Sequence, residues 1–158
     1  PVLLKIQSIS DDRGLLVPFT EEIDHELFRR SYILENYGTG VTRGLHYHKK
    51  ESKVFTIASG AAKFITVKLP PEMADRNDES EIRRYLKANP GAIKTWVISS
   101  RHHGALCIPP FHASGWINLE EHTVLVSLSN LRFEEAVGDD IRIDPFITGE
   151  DFWRTIPR

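Results

Sequence analysis

Short runs in which apolar and polar residues alternate recur at roughly ten-residue spacing, each closed by a turn rich in Gly, Pro, Asn or Asp. A period of two places alternate side chains on opposite faces of a strand, so the pattern predicts strands rather than helices. Strands are expected over 2–6, 15–19, 29–37, 54–57, 62–69, 93–100, 105–110, 115–119, 123–131 and 141–143, with Ser59-Gly60 read as a hairpin turn. Residues 20–28 offer one or two helical turns with Thr20 as N-cap. Residues 70–91 break the pattern, being charged and bounded by prolines, and read as a surface excursion with a short helix over Ser80–Lys87. A last helical turn is expected to pack through Phe152 and Trp153. Many short strands with few helices argue for an all-β sandwich or barrel, and 158 residues suit a single domain over 1–158.

Composition narrows this reading only a little. The chain is 41% apolar and 27% charged, as soluble globular proteins are, and its net charge of −2 gives no general attraction to nucleic acid or an anionic membrane. No apolar run reaches the ~18 residues of a membrane span and no basic-then-apolar leader opens the sequence, so a cytoplasmic location is expected. The one cysteine, Cys107, lies in an apolar run and reads as core.

The chemistry gathers in TRGLHYHKKESKVFTIASG, residues 42–60. His46 and His48, two residues apart on a strand, share a face with Gly44, and Arg43 and Lys53 flank them. Paired imidazoles suggest metal or proton chemistry. The spacing resembles the metal motif of the cupin family, with Lys53 where the ligand carboxylate stands and Ser114 where the later histidine stands. An ammonium in a coordination shell repels a divalent ion, so no metal is expected. What remains is a pocket of imidazole, ammonium and guanidinium groups, suited to taking a proton and stabilising an anion.

In order along the chain stand DDRG at 11–14, GVTRGLHYH at 40–48, Lys53, TWVISSRHHGALCIPPFHASGW at 95–116 and IRIDP at 141–145. Together they resemble the dTDP-4-dehydrorhamnose 3,5-epimerases, the sugar-nucleotide branch of the cupins. The resemblance implies a cupin-type antiparallel β-sandwich or jelly-roll barrel with short peripheral helices. It implies an isomerase without a cofactor, acting on a nucleoside-diphosphate 4-keto-6-deoxy sugar in carbohydrate and polysaccharide biosynthesis, and a homodimer. It further implies His46 as the base, Asp144 as its orienting carboxylate and Lys53 as the enolate stabiliser. Arg13, Arg43, His48, His112 and Ser114 would bind substrate. The chemistry asks for such a set, because a hydrogen next to a ketone is only weakly acidic.

Two departures shift the expectation. The family's second histidine falls at Ser114, with His112 two residues away, and its tyrosine acid falls at Leu131 or Arg132. An epimerase acting at one carbon, C3 or C5, is therefore expected over a double epimerase. RGLHYHK is also similar to the RGxHAHK of dTDP-4-keto-6-deoxyglucose 3,4-ketoisomerases, the alternative reading; a non-catalytic sugar-nucleotide-binding cupin is a third. His102 and His103 read as solvated turn residues, and Tyr47 and Trp116 as core or as stacking platforms.

Overall fold

The computed structural model describes residues 1–23 and 28–155. Of the helical turns expected over 20–28, residues 24–27 lie outside the described residues, and 20–23 form a turn in which the Ile23 amide donates to the Thr20 carbonyl at 2.9 Å. Strands β1 (Val2–Lys5), β4 (Arg30–Glu35), β6 (Lys53–Ser59), β9 (Gly104–Ile108) and β11 (Val124–Ser129) form one antiparallel sheet in the order β1-β9-β6-β11-β4. Strands β5 (Thr42–His48), β7 (Ala61–Lys68), β8 (Ile93–Ser99), β10 (His112–Asn118) and β12 (Ile141–Arg142) form a second, in the order β12-β5-β10-β7-β8. A hairpin of β2 (Ile9–Asp11) and β3 (Gly14–Leu16) pairs with neither.

The two sheets pack as a sandwich. Phe55, Ile57, Leu106 and Leu125 from the first meet Phe64, Ile98 and Trp116 from the second. Phe55 and Phe64 stack across the interface with ring centroids 5.7 Å apart, and Phe64 continues to Trp116 at 6.4 Å. The all-β expectation holds, but each sheet stays open rather than closing into a barrel. Ser59-Gly60 is also not a hairpin, since β6 belongs to the first sheet and β7 to the second. The chain turns the corner at Gly60, whose φ is +76°, and a Cβ there would stand 2.5 Å from the Thr123 hydroxyl. Alternation marks two strands, yet it does not say which neighbour takes their backbone hydrogen bonds.

Residues 70–91 are more than an excursion. They form α1 (Pro71–Arg76) and α2 (Glu79–Ala88), the latter capped by the Asp78 carboxylate, which accepts from the amides of Ser80 and Glu81. Ala74, Ile82 and Leu86 cover the outer face of the second sheet, packing with Tyr47, Val67 and Leu69. Ile143, Ile147 and Trp153 from two 3₁₀ turns (Pro145–Thr148 and Glu150–Trp153) complete this layer. The outer face of the second sheet is thus covered over β5 and β7, though not at Val97 on β8, which is 58% exposed; Ile33 on the outer face of the first sheet is 69% exposed. Among the described residues no helix is long and apolar enough to cross a membrane.

Strands β5 and β10 touch through two glycines. A Cβ on Gly44, whose φ is +116°, would lie 2.5 Å from the Gly115 Cα, and one on Gly115 would lie 2.6 Å from the Arg43 carbonyl and 2.8 Å from the Trp153 ring. Gly115→Ala is expected to cost about 2 kcal/mol or more through backbone overpacking, read as a lower urea midpoint.

Candidate active site

At one end of the sandwich the inner faces part around a cavity of about 320 Å³. One wall is β5 and β10 with Arg43, His46, His48 and Ser114; the facing wall is β4 and β6 with Arg30, Tyr32, Lys53 and Phe55. Helix α3 (Phe133–Val137) and Asp140 form the rim.

Strand geometry explains who points inward. In β4 the partly buried residues alternate at 30, 32 and 34, and all three reach the cavity. In β5, Gly44, His46 and His48 do the same. Arg43, of opposite parity, joins them because the register slips: Ser114 lies opposite His46 but Trp116 lies opposite Arg43, so β5 carries one extra residue there. Arg43 then donates from Nε to Asn36 Oδ1 at 2.6 Å, and the buried Asn36 is held in turn by the Val41 carbonyl at 3.1 Å.

His46 is 38% exposed in its side chain, and its Nδ1 lies 2.9 Å from Asp140 Oδ1. The carboxylate beside His46 is therefore Asp140, not Asp144. Asp144 caps the 3₁₀ turn that Pro145 begins, accepting from the Phe146 amide at 3.0 Å and from Arg83 at 3.4 Å, away from the cavity. Asp-Pro at a turn start uses its carboxylate locally. Asp140 directly precedes β12, which pairs with β5 in the register Arg142 opposite His46. Burial alone would raise the Asp140 carboxyl, but its bond with His46 and the nearby imidazoles outweigh this and hold it down at about 2.

His48 is buried and differently engaged. Its Nε2 lies 2.8 Å from Lys53 Nζ, and its Nδ1 lies 3.1 Å from Glu51 Oε2. Burial first, and the Lys53 charge second, lower its pKa to about 4 against the pull of Glu51, Asp140 and Asp139, so the ring is neutral at pH 7. Because an ammonium only donates, Lys53 occupies the Nε2 lone pair. That lone pair is what a metal would need, and the described residues hold no cluster of three His, Cys, Asp or Glu side chains arranged around an ion.

Other expected site residues fall apart from this group. Arg13 sits on the β2–β3 hairpin, 85% exposed and paired with Asp11, and does not line the cavity. Its turn position leaves it local partners and nothing to hold it against the sandwich. His112 stands outside the cavity lining as well, with Nδ1 2.9 Å from the Pro110 carbonyl and its pKa lowered chiefly by burial. Ser114 is buried on the cavity wall. Tyr47 is core, its hydroxyl donating to the Leu69 carbonyl at 3.3 Å and burial pushing its pKa up to about 12. Trp116 is buried and also meets the cavity.

Sequence reasoning missed Asp140, Glu51, Arg30 and Tyr32. Tyr32 and Arg30 carried a signal, the alternation of RSYILE, which puts both on the inward face. Arg30 lies over the Tyr32 ring with its guanidinium carbon 5.0 Å from the centroid. Glu51, two residues short of the position at which a carboxylate is sought, carried none.

No protein-family model matches the sequence, and a search of curated proteins gives no match. Solved structures do. QdtA, a sugar 3,4-ketoisomerase from Thermoanaerobacterium thermosaccharolyticum in complex with TDP, is similar with a TM-score of 0.65 and 24% identity over 94% of this chain and 92% of that one. ChmJ, a 3′-monoepimerase from Streptomyces bikiniensis, gives 0.71 and 15% over 98% and 74%. The rmlC epimerase of Mycobacterium tuberculosis gives 0.70 and 16% over 92% and 71%. The fold is the one these ketoisomerases and epimerases share.

The depressed pKa values carry a pH dependence of stability. A histidine folded at about 4, against 6.5 when free, binds fewer protons in the native state. Stability is therefore full above pH 6.5 and lost as pH falls towards 4, on the order of 3 kcal/mol. Asp140, at about 2 against 3.8, adds a further loss below pH 4. Urea unfolding between pH 7 and 3 is expected to show both limbs, and His48→Gln to flatten the upper one.

Proposed function

We propose that the protein is an isomerase of a nucleoside-diphosphate 4-keto-6-deoxy sugar, and that it epimerises one carbon next to the ketone. The observation that carries this reading is the His46–Asp140 pair, 2.9 Å apart and open to the cavity, with the Lys53 ammonium in the same cavity. His46 removes the proton α to the ketone, and Asp140 holds its ring and steadies the imidazolium that forms. Lys53 faces the oxygen on which the enolate charge develops. Arg43 offers a guanidinium fork for the diphosphate. The similar structures support the substrate class: QdtA is described with TDP-4-keto-6-deoxyglucose and ChmJ with dTDP-quinovose.

Epimerisation needs a proton delivered to the face opposite the base. Tyr32, on the wall facing His46, supplies a phenol there, in place of the tyrosine that the segment at 129–133 lacks. A 3,4-ketoisomerase is the second reading, favoured by the likeness to QdtA over nearly the whole of both chains. The occupied Nε2 of His48 weighs against a route that uses both histidines as bases.

The test is NMR of dTDP- and GDP-linked 4-keto-6-deoxy sugars in D₂O. The wild type is expected to exchange one ring proton and form a new diastereomer, and His46→Ala to lose about 10²-fold or more of that rate. Tyr32→Phe is expected to keep the exchange while losing the new diastereomer. A shifted carbonyl would establish the ketoisomerase instead; absence of exchange with either nucleotide would mean that these are the wrong substrates or that the protein only binds.

A homodimer is the assembly we favour, because Ile9, Leu15 and Leu16 stand exposed on a hairpin that joins neither sheet. Arg13 rides on that hairpin, so pairing of two copies is its route to a cavity. Sedimentation at micromolar concentration is expected to give a dimer, and Leu16→Asp a monomer.

A further inference from the structure

The side chain of Glu51 has no exposed surface, yet four groups converge on it. Arg30 Nη2 lies 2.7 Å and the Ser129 hydroxyl 2.5 Å from Oε1; Lys53 Nζ and His48 Nδ1 each lie 3.1 Å from Oε2. Oε2 and His48 Nδ1 have no aligned hydrogen-bond partner, so the oxygen is held by the charge of Lys53 and the nearness of the ring. A buried carboxylate is costly unless it is matched by cations, and here it is matched by two, on β4 and β6.

We infer that Glu51 is the positioning residue of this active site: it anchors Arg30 and Lys53 against the cavity wall and so holds the Lys53 ammonium on His48 Nε2. It borders the cavity but its side chain has no exposed surface, so it acts through its partners. An ammonium has three N–H bonds. In Lys53 one is directed to His48 Nε2, and the ammonium is held beside Glu51 Oε2 at 3.1 Å by charge. Without the carboxylate, Lys53 has a single fixed partner, and the donor that meets the developing enolate is no longer aimed. The groups facing His48 are Lys53 and Glu51 on its cavity side and Asp139 and Asp140 at 3.7 and 3.8 Å. With Lys53 donating to Nε2, the neutral ring carries its hydrogen on Nδ1, the form that free histidine disfavours.

The role in turnover rests on the isomerase reading; the tautomer does not. Two measurements therefore separate them. Imidazole ¹⁵N shifts of the wild-type protein at pH 7 are expected to show His48 protonated on Nδ1, and protonation on Nε2 would overturn the inference whatever the activity. Glu51→Gln is expected to lower kcat about tenfold or more while KM changes less than about threefold, with Glu51→Asp recovering part of kcat. Full kcat in a folded Glu51→Gln variant would equally overturn it. If Glu51→Gln does not fold, Glu51→Asp decides: its kcat is expected below wild type with KM retained, and a wild-type kcat would sink the proposal. Absence of turnover in the wild type would count against the isomerase alone, because the tautomer is read without substrate.

Discussion

The geometry of the cavity depends on one carboxylate that does not line it. Asp139 accepts the backbone amides of three successive residues, Lys49, Lys50 and Glu51, at 3.1, 2.8 and 2.9 Å. These amides belong to the connection by which the chain leaves β5 in one sheet and enters β6 in the other. A buried carboxylate satisfied by several N–H groups is a strong clamp, and this one joins segments about ninety residues apart. It sets how far His48 at the end of β5 stands from Lys53 at the start of β6. It also delivers its neighbour Asp140 to His46.

The fold was largely legible from alternation because strands of an antiparallel sandwich write a period of two into the chain. Partnership was less legible. Ser59-Gly60 has the composition of a hairpin turn, and only the contact of Gly60 with Thr123 reveals a corner between sheets. Residues 70–91 read as surface because their charges outnumber their apolar residues. Ile82 and Leu86 are nevertheless buried, one turn of helix apart, on the single stripe that faces the sheet.

Within the site, residues on the two central strands were legible and those brought by distant loops were not. His46, His48 and Lys53 are tied by local spacing, and the cavity collects all three. Asp144 and Asp140 lie four residues apart, and the choice between them turns on a two-residue strand and a 3₁₀ turn. Both are too short to leave a periodic signal. Arg13 has a different reason: among the described residues its hairpin pairs with no other strand, so local sequence does not say what it meets.

The backing of β5 but not of β4 has a mechanical consequence. The wall that carries His46 is braced from behind by two helices and the C-terminal 3₁₀ turns, so its strands are fixed on both faces. The wall that carries Arg30 and Tyr32 lies on β4, an edge strand with a solvated back. Adjustment to occupants of different size thus falls on the unbraced wall, and His46 stays at a fixed reference point while the far side of the cavity yields.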